Sequence, residues 1–375
     1  MRIEPPVSEE ILTAIRAPFA GEDAARAEPP IVQPLGLFLD LAGEAMRVRL
    51  FVVQAEGREE SCLRPELTIP VALEHVASGA VAGSYVYEGK AFRAMPRGGE
   101  GAHSEEFLQL GLEVYGHMEV ADEARIAALA WRSASAGGRE DLALRLGDAA
   151  LFAAFLAALG VAGSVADRLR QAFGQRAFVE GVLERAVAMP ARAGSGHLAK
   201  VLAGLEEGQA AELLDELWSL AGIRPVGGRP ATEIVGRLTR RGDIQSLSEN
   251  QAEQIRRYLA IEGKPKAALD AVAKLASASA IDLDGPLETW MRRLAAFKDA
   301  GLPLDQVRFA AGFGRGFGYY DGFLFDIVSE ALGEDRPVAG GGRYDGLLVR
   351  LGSAHPTAAV GCMVRPGRAW KEAAE

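Results

Sequence analysis

GRGFGYYDG at 314–322 and AGGGRYDGL at 339–347 hold a disproportionate share of the chain's 44 glycines, together with one arginine, two tyrosines and an aspartate in the first and an arginine, a tyrosine and an aspartate in the second. The glycines cluster near 312–322 and 340–346 without a fixed period, which excludes collagen-like and linker readings. Such clusters mark places where the backbone approaches a ligand closely. The surrounding text, from Gln306 to Val349, is strand-like and punctuated by glycine.

Similar text stands in the N-terminal half. Val48–Val53, Gly83–Phe92 and Leu108–Val120 read as strands, followed by a helix over Asp122–Ser135, a strand over Asp141–Leu146 and an Ala/Leu helix over Ala149–Leu159. Between these two regions, about 163–300, the pattern is helical, with stops at GIRP (222–225) and GGRP (227–230) and a capping box pairing Ser248 with Gln251. The expectation is an α+β fold in which 1–162 and 301–375 build one mixed or antiparallel sheet flanked by helices, with 163–300 as a helical insertion.

At 375 residues and 49% hydrophobic, the chain can bury a large core. Its two cysteines, Cys62 and Cys362, cannot build a disulfide framework or a zinc site, and the N-terminus lacks the apolar core of a signal peptide, so the cytoplasm is expected. The most apolar stretch, 142–165, carries Arg145 and Asp148 and reads as buried, with no membrane span. A net charge of −10 disfavours a large nucleic-acid footprint. GKP at 263–265 lacks the Ser/Thr of a P-loop, and neither GxGxxG, HExxH nor CxxC occurs. No metal and no cofactor are implied.

The candidate site residues come from three fragments. In FLQLGLEV (107–114), strand alternation puts Leu108, Leu110, Leu112 and Val114 on one face and Gln109, Gly111 and Glu113 on the other. Gln109 and Glu113 lie roughly 13 Å apart at about 3.3 Å per residue, with side-chain space left at Gly111, so they either bracket a small zwitterion or form a sheet face open to water. LRPELT (63–68) sets Glu66 and Thr68 two apart, a pair suited to an ammonium group or a surface turn. Arg93, at the end of a strand, suits a carboxylate or phosphate, or solvent.

With these fragments in place, the two glycine-rich stretches are similar to the histidine-specific signatures of histidyl-tRNA synthetases, the first usually R-G-L-D-Y-Y and the second A-G-G-G-R-Y-D-G-L. The second matches at nine consecutive positions. Pro30–Val32 with Leu37 and Phe38 then resembles the class II motif 1 region, and Phe92–Arg93 the start of motif 2. The resemblance implies a class II aminoacyl-tRNA synthetase-like core. Glu66, Thr68 and Gln109 would hold the amino group of histidine, with Arg315 on its carboxylate side. Glu113 and Tyr320 would read the imidazole, Tyr319 and Tyr344 would wall the pocket, and Arg93 would face the carboxylate or a phosphate.

Other parts depart from the synthetase pattern. Met95 stands where a glutamate reads adenine, Glu105 and Glu106 lie near the place of a phosphate-binding arginine, and Arg97 remains in that loop. In GCMVRPGRAW (361–370) Arg368 aligns with the nucleotide arginine, but Arg365 replaces a glycine, and Pro366 and Gly367 disturb the expected helix start. Gly318 replaces the signature aspartate, and the sequence ends where an anticodon-binding domain would begin. This combination resembles a paralogous family, the regulatory subunits of ATP phosphoribosyltransferase. The resemblance implies a non-catalytic chain that pairs with a short-form catalytic subunit, forms a homodimer within a hetero-oligomer, and transmits feedback inhibition by L-histidine. Magnesium would belong to the partner's ATP chemistry. A truncated synthetase or other histidine-activating ligase, and a scaffold with relic pocket residues, are the competing readings.

Overall fold

The computed structural model describes residues 3–4, 6–42, 44–57, 59–95, 105–188, 201, 205–220, 246–316 and 318–374. Arg97 and the expected stops at 222–225 and 227–230 lie outside these. The chain divides into two compact units: Met1–Leu151, Leu259–Lys274 and Leu283–Glu375 form the first, Phe152–Tyr258 and Leu275–Asp282 the second.

The first unit is built on a mixed nine-stranded sheet. In chain order its strands are β1 (Ala25–Ala27), β5 (Gly83–Phe92), β6 (Glu106–Gly116), β7 (Leu142–Asp148), β8 (Glu262–Gly263), β9 (Val307–Ala310), β10 (Phe323–Ser329), β11 (Ala339–Arg343) and β12 (Ala358–Val364). Their spatial order is β1-β5-β6-β12-β11-β10-β7-β9-β8. Among the described strands of this sheet, the β1–β5 and β7–β9 pairs are parallel and the others antiparallel. The second glycine stretch is therefore a central strand, flanked by β10 and β12. Strands from both ends of the sequence interleave, because β12 pairs with β6.

A small antiparallel sheet is formed by β2 (Val32–Pro34), β4 (Ser61–Leu63) and β3 (Val52–Val53). The strand expected over Val48–Val53 is shorter than its composition indicates: Glu44–Arg49 winds as a 3-10 helix, and only Val52 and Val53 pair. Short-range apolar runs do not distinguish these two outcomes, and here tertiary pairing settles the matter. The small sheet is tied to the large one by the buried Arg64, whose Nε donates to the Lys90 carbonyl at 2.8 Å and whose Nη1 donates to the Pro29 carbonyl.

Helices cover the sheet. After α1 (Glu9–Arg16) and α2 (Leu35–Ala42), α3 (Thr68–Ser78) ends at Gly79, whose φ of 70° is the left-handed cap that glycine adopts without strain. His75 of α3 stacks on Tyr115 of β6 at 4.5 Å, fixing α3 against the face that carries Gln109 and Glu113. Helix α4 (Val120–Ser135) opens with a capping box between Glu119 and Asp122, and it buries Ala124, Ala127, Ala128, Ala130 and Ala134. Small side chains let its axis approach β11 and β12 closely. The helix Asp284–Asp299 packs on α4.

In the second unit, α6 (Gly163–Gln171) and α7 (Arg176–Ala188) follow α5 (Ala149–Ala158), which crosses the unit boundary, and Glu207–Leu220 and Glu249–Leu259 are also helical. The expected capping box is present: the Gln251 backbone N–H donates to Ser248 Oγ at 3.1 Å and the Ser248 N–H to Gln251 Oε1 at 3.0 Å. Phe155 stacks on Tyr258 at 4.5 Å in the interior of this unit. Among the described residues, no helix is long and apolar enough to cross a membrane.

Candidate functional site

The alternation in β6 holds, but its polar face is not open to water. Gln109 and Glu113 are each only 1% exposed. Buried polar groups at this depth need partners, and the surrounding elements supply them.

Glu66 lies just ahead of α3. Its carboxylate accepts the Thr68 N–H at 2.7 Å and the Ile69 N–H at 2.8 Å, two of the orphan donors at the helix N-terminus. Burial raises its pKa, while these two bonds and Arg93 work against the rise. LRPELT is thus a buried helix entry and not a surface turn.

Glu113 is the hub of the site. Its Oε1 accepts from Thr68 Oγ1 at 2.7 Å and from Tyr87 Oη at 3.1 Å, and its Oε2 accepts from Tyr344 Oη. Gly361 sits directly opposite Glu113 in the β6–β12 register. A Cβ at Gly361 would lie 1.6 Å from Glu113 Oε2, so only glycine leaves room for the carboxylate. Burial pushes the Glu113 carboxyl up to about 8, against the pull of the Tyr344 and Thr68 hydroxyls.

The raised pKa fixes a sign. Between the ordinary value of 4.5 and about 8, folded Glu113 holds a proton that the unfolded chain has released. Its contribution to stability therefore falls as pH rises through that window. Glu113→Gln removes this titration, so the unfolding midpoint of the variant should gain on that of the parent between pH 6 and pH 8.5. Urea titrations at both pH values check this, and an unchanged gap would count against a buried, protonated Glu113.

Arg315 comes from the connection between β9 and β10. Its Nη1 donates to the Phe325 carbonyl at 3.0 Å and pairs with Asp326, and its guanidinium stands 5.5 Å from the Tyr320 ring centre. Burial alone would lower its pKa, but Asp326, Tyr320 and Tyr319 outweigh burial and the net direction is upward. Gly340 clears its path, since a Cβ there would fall 1.6 Å from Arg315 Nη1. Tyr319, Tyr320 and Tyr344 form an aromatic cluster with ring centres 4.5 to 6.0 Å apart.

Arg93 donates from Nε to the Pro65 carbonyl at 2.8 Å and lies 5.3 Å from the Phe107 ring centre. Burial, then Arg365 and Arg49, push it down to about 9.

These side chains enclose a cavity of about 10 Å³, about the space one water needs. Seven of the nine expected residues line it: Glu66, Thr68, Arg93, Gln109, Arg315, Tyr319 and Tyr320. Glu113 and Tyr344 stand behind Gly361 and reach the cavity only through their neighbours. Arg93, Arg315 and Met363 also border a second cavity of about 270 Å³, lined in addition by Arg49, Met95, Arg145, Asp326, Arg365 and Arg368. An amino acid enters the small cavity only if these walls move apart.

Met95, expected at the adenine-reading position, lines the larger cavity, and its N–H donates to Glu105 at 3.4 Å. Glu106 pairs with Lys90 at 2.5 Å. Pro366 does not block a helix as expected. It occupies the first helical position, where proline is favoured, although the helix Pro366–Ala369 lasts one turn. Arg368 donates to the Pro337 carbonyl at 3.0 Å, and burial and Arg365 push it down to about 8.

Sequence reading did not single out Tyr87, Arg49, Arg145 or Arg365 as site residues. For Tyr87 a signal existed: it faces Gly111 across the β5–β6 pair, so a large side chain fills the space left between Gln109 and Glu113.

The family model described as Histidyl-tRNA synthetase matches residues 11–226 and 231–366. A Mesorhizobium japonicum protein named ATP phosphoribosyltransferase regulatory subunit is 37% identical over 355 residues, covering 92% of each chain. One of the same name from Agrobacterium fabrum is 35% identical over 350 residues, 92% of this chain and 91% of the relative. Among solved structures, an ATP phosphoribosyltransferase regulatory subunit/histidyl-tRNA synthetase from Bacillus halodurans aligns with a TM-score of 0.68 at 19% identity, over 100% of this chain and 82% of the other. Histidyl-tRNA synthetase from Nostoc sp. PCC 7120 aligns with a TM-score of 0.60 at 14% identity, over 97% and 72%. At these identities the two structures speak to the class II fold.

Proposed function

We propose a function from one premise: this chain belongs to the ATP phosphoribosyltransferase regulatory subunits, within the histidyl-tRNA synthetase family. As a member it is a non-catalytic subunit of an enzyme complex. Its role is to bind L-histidine in the small cavity, to pair with a short catalytic chain that needs it for activity, and to pass the histidine signal to that chain. Feedback of this kind needs histidine to bind two states of the complex unequally, with a coupling of typically about 1–3 kcal/mol.

One observation carries the histidine reading. Gln109 Oε1 is buried without a hydrogen-bond partner among the described residues, on the wall of a cavity that also presents Glu66 and Arg315. An acceptor beside a carboxylate suits an ammonium group, and a guanidinium within the same walls suits a carboxylate. The complex is proposed to contain two copies of this chain joined through the small sheet, where Ile31 and Val32 are exposed.

Calorimetric titration of the purified chain with L-histidine, and separately with ATP and magnesium, tests the proposal. Saturable histidine binding without ATP binding is expected. The ligase reading is favoured by Arg93, Arg315 and Arg368 around the larger cavity, and histidine-dependent exchange between ATP and pyrophosphate would establish it in place of the regulatory one. Binding of neither ligand, alone or with the catalytic chain added, would remove the histidine reading.

A further inference from the structure

Tyr87 is a buried phenol, 3% exposed, whose hydroxyl has three polar neighbours. Glu113 Oε1 lies at 3.1 Å, the Cys362 carbonyl oxygen at 3.5 Å and Gln109 Nε2 at 3.3 Å. The first two are acceptors. A phenol has one proton to donate, and it goes to Glu113 or to the carbonyl. Whenever Glu113 Oε1 is the acceptor, with the carboxyl ionised or its proton on Oε2 toward Tyr344, the phenolic oxygen accepts from Gln109 Nε2.

This fixes which end of the Gln109 amide faces the ligand. An amide turned over would bring its oxygen against a phenolic oxygen whose proton is already committed, leaving two acceptors in contact and the NH2 group aimed into the cavity. Nε2 therefore faces Tyr87, and Oε1 is the atom left buried without a partner. Gly111 is part of the device. A Cβ at that position would fall 2.4 Å from Tyr87 Oη, so a side chain there would displace the phenol.

Resting on the histidine reading above, we infer that Tyr87 is a positioning residue that holds Gln109 as an acceptor and so makes the pocket select a ligand with a protonated amine. Tyr87 does not touch the ligand. It sets the polarity of the residue that does.

The test compares two ligands, L-histidine and 3-(imidazol-4-yl)propionate, which keeps the ring and carboxylate and lacks the amine. A site whose buried acceptor is left unpaired by the wrong ligand rejects it strongly. The parent protein is expected to prefer histidine by about 100-fold or more. In Tyr87→Phe the amide is free to turn over, and the preference should fall to about 10-fold or less. Replacing Gln109 by glutamate in the same variant makes both terminal oxygens acceptors, so Tyr87→Phe/Gln109→Glu should recover preference for the amine. A variant that binds both ligands more weakly but with an unchanged ratio would overturn the inference, because loss of packing weakens the two alike. Failure of the double variant to regain preference would overturn it too. If the parent protein binds no histidine, this inference and the proposed function fall together, whereas binding with an unchanged ratio in Tyr87→Phe removes only this inference.

Discussion

Replacing Arg315 by alanine is expected to weaken L-histidine binding about 100-fold or more. Arg315, like Arg93, borders both cavities, and it is anchored to Asp326 and to the Phe325 carbonyl. Truncating one member of a buried, hydrogen-bonded charge pair costs about 2–5 kcal/mol, and each 1.4 kcal/mol is about tenfold in affinity. The alanine variant also strands the Asp326 carboxylate, which burial already pushes upward and which Arg315 holds back. Loss of fold could then imitate loss of binding. The double variant Arg315→Met/Asp326→Asn separates the two effects, because replacing both members of a buried pair is close to neutral while removing one is not. It should unfold near the parent's midpoint and still fail to bind histidine. Histidine binding at parental strength in the folded double variant would show that the carboxylate is held elsewhere.

The second large effect lies behind the sheet. Glu123 of α4, 1% exposed, accepts from Arg293 at 2.6 Å and from Arg343 at 3.0 Å. Arg293 also reaches Asp148 at 3.3 Å, and the Trp290 indole N–H donates to the same carboxylate at 2.7 Å. Glu123→Ala leaves Arg293 buried with half its charge compensation, and such a break costs about 3–5 kcal/mol. Arg343 Nε also pairs with Asp345 at 2.9 Å. Urea unfolding should register a loss of that size, and a loss below about 1 kcal/mol would mean that Asp148 and Asp345 suffice. Arg343 and Tyr344 are consecutive and point to opposite sides, one to Glu123 and the other to Glu113. Histidine affinity should therefore fall together with stability, since the network holds the strand end that presents Tyr344.

These two networks divide the protein according to what each level of description can reach. The strand Gly83–Phe92, the long helix before Ser135 and the capping box at Ser248 were legible in the sequence, because they rest on local periodicity, and seven of the nine expected site residues do line the small cavity. Alternation in β6 even put Gln109 and Glu113 on one face. It also set them about 13 Å apart as separate brackets, whereas in the fold both side chains meet on one phenol from the neighbouring strand. The glycines of 340, 341 and 361 were visible as a motif, but their reasons were not: each stands where the side chain or backbone of another segment needs the volume.

The sequence by itself determined the class of fold, the family, and most of the residues around the cavity, since chain-local patterns and nine contiguous signature positions survive without coordinates. Only the tertiary structure decided that the polar face of β6 is buried, that Glu113 stands behind Gly361, that Arg315 is locked by Asp326 and that Tyr87 meets both Gln109 and Glu113. The physical reason is that burial and hydrogen-bond direction are properties of groups brought together from distant parts of the chain. Glu113 and Tyr344 are 231 residues apart in sequence and share one hydrogen bond.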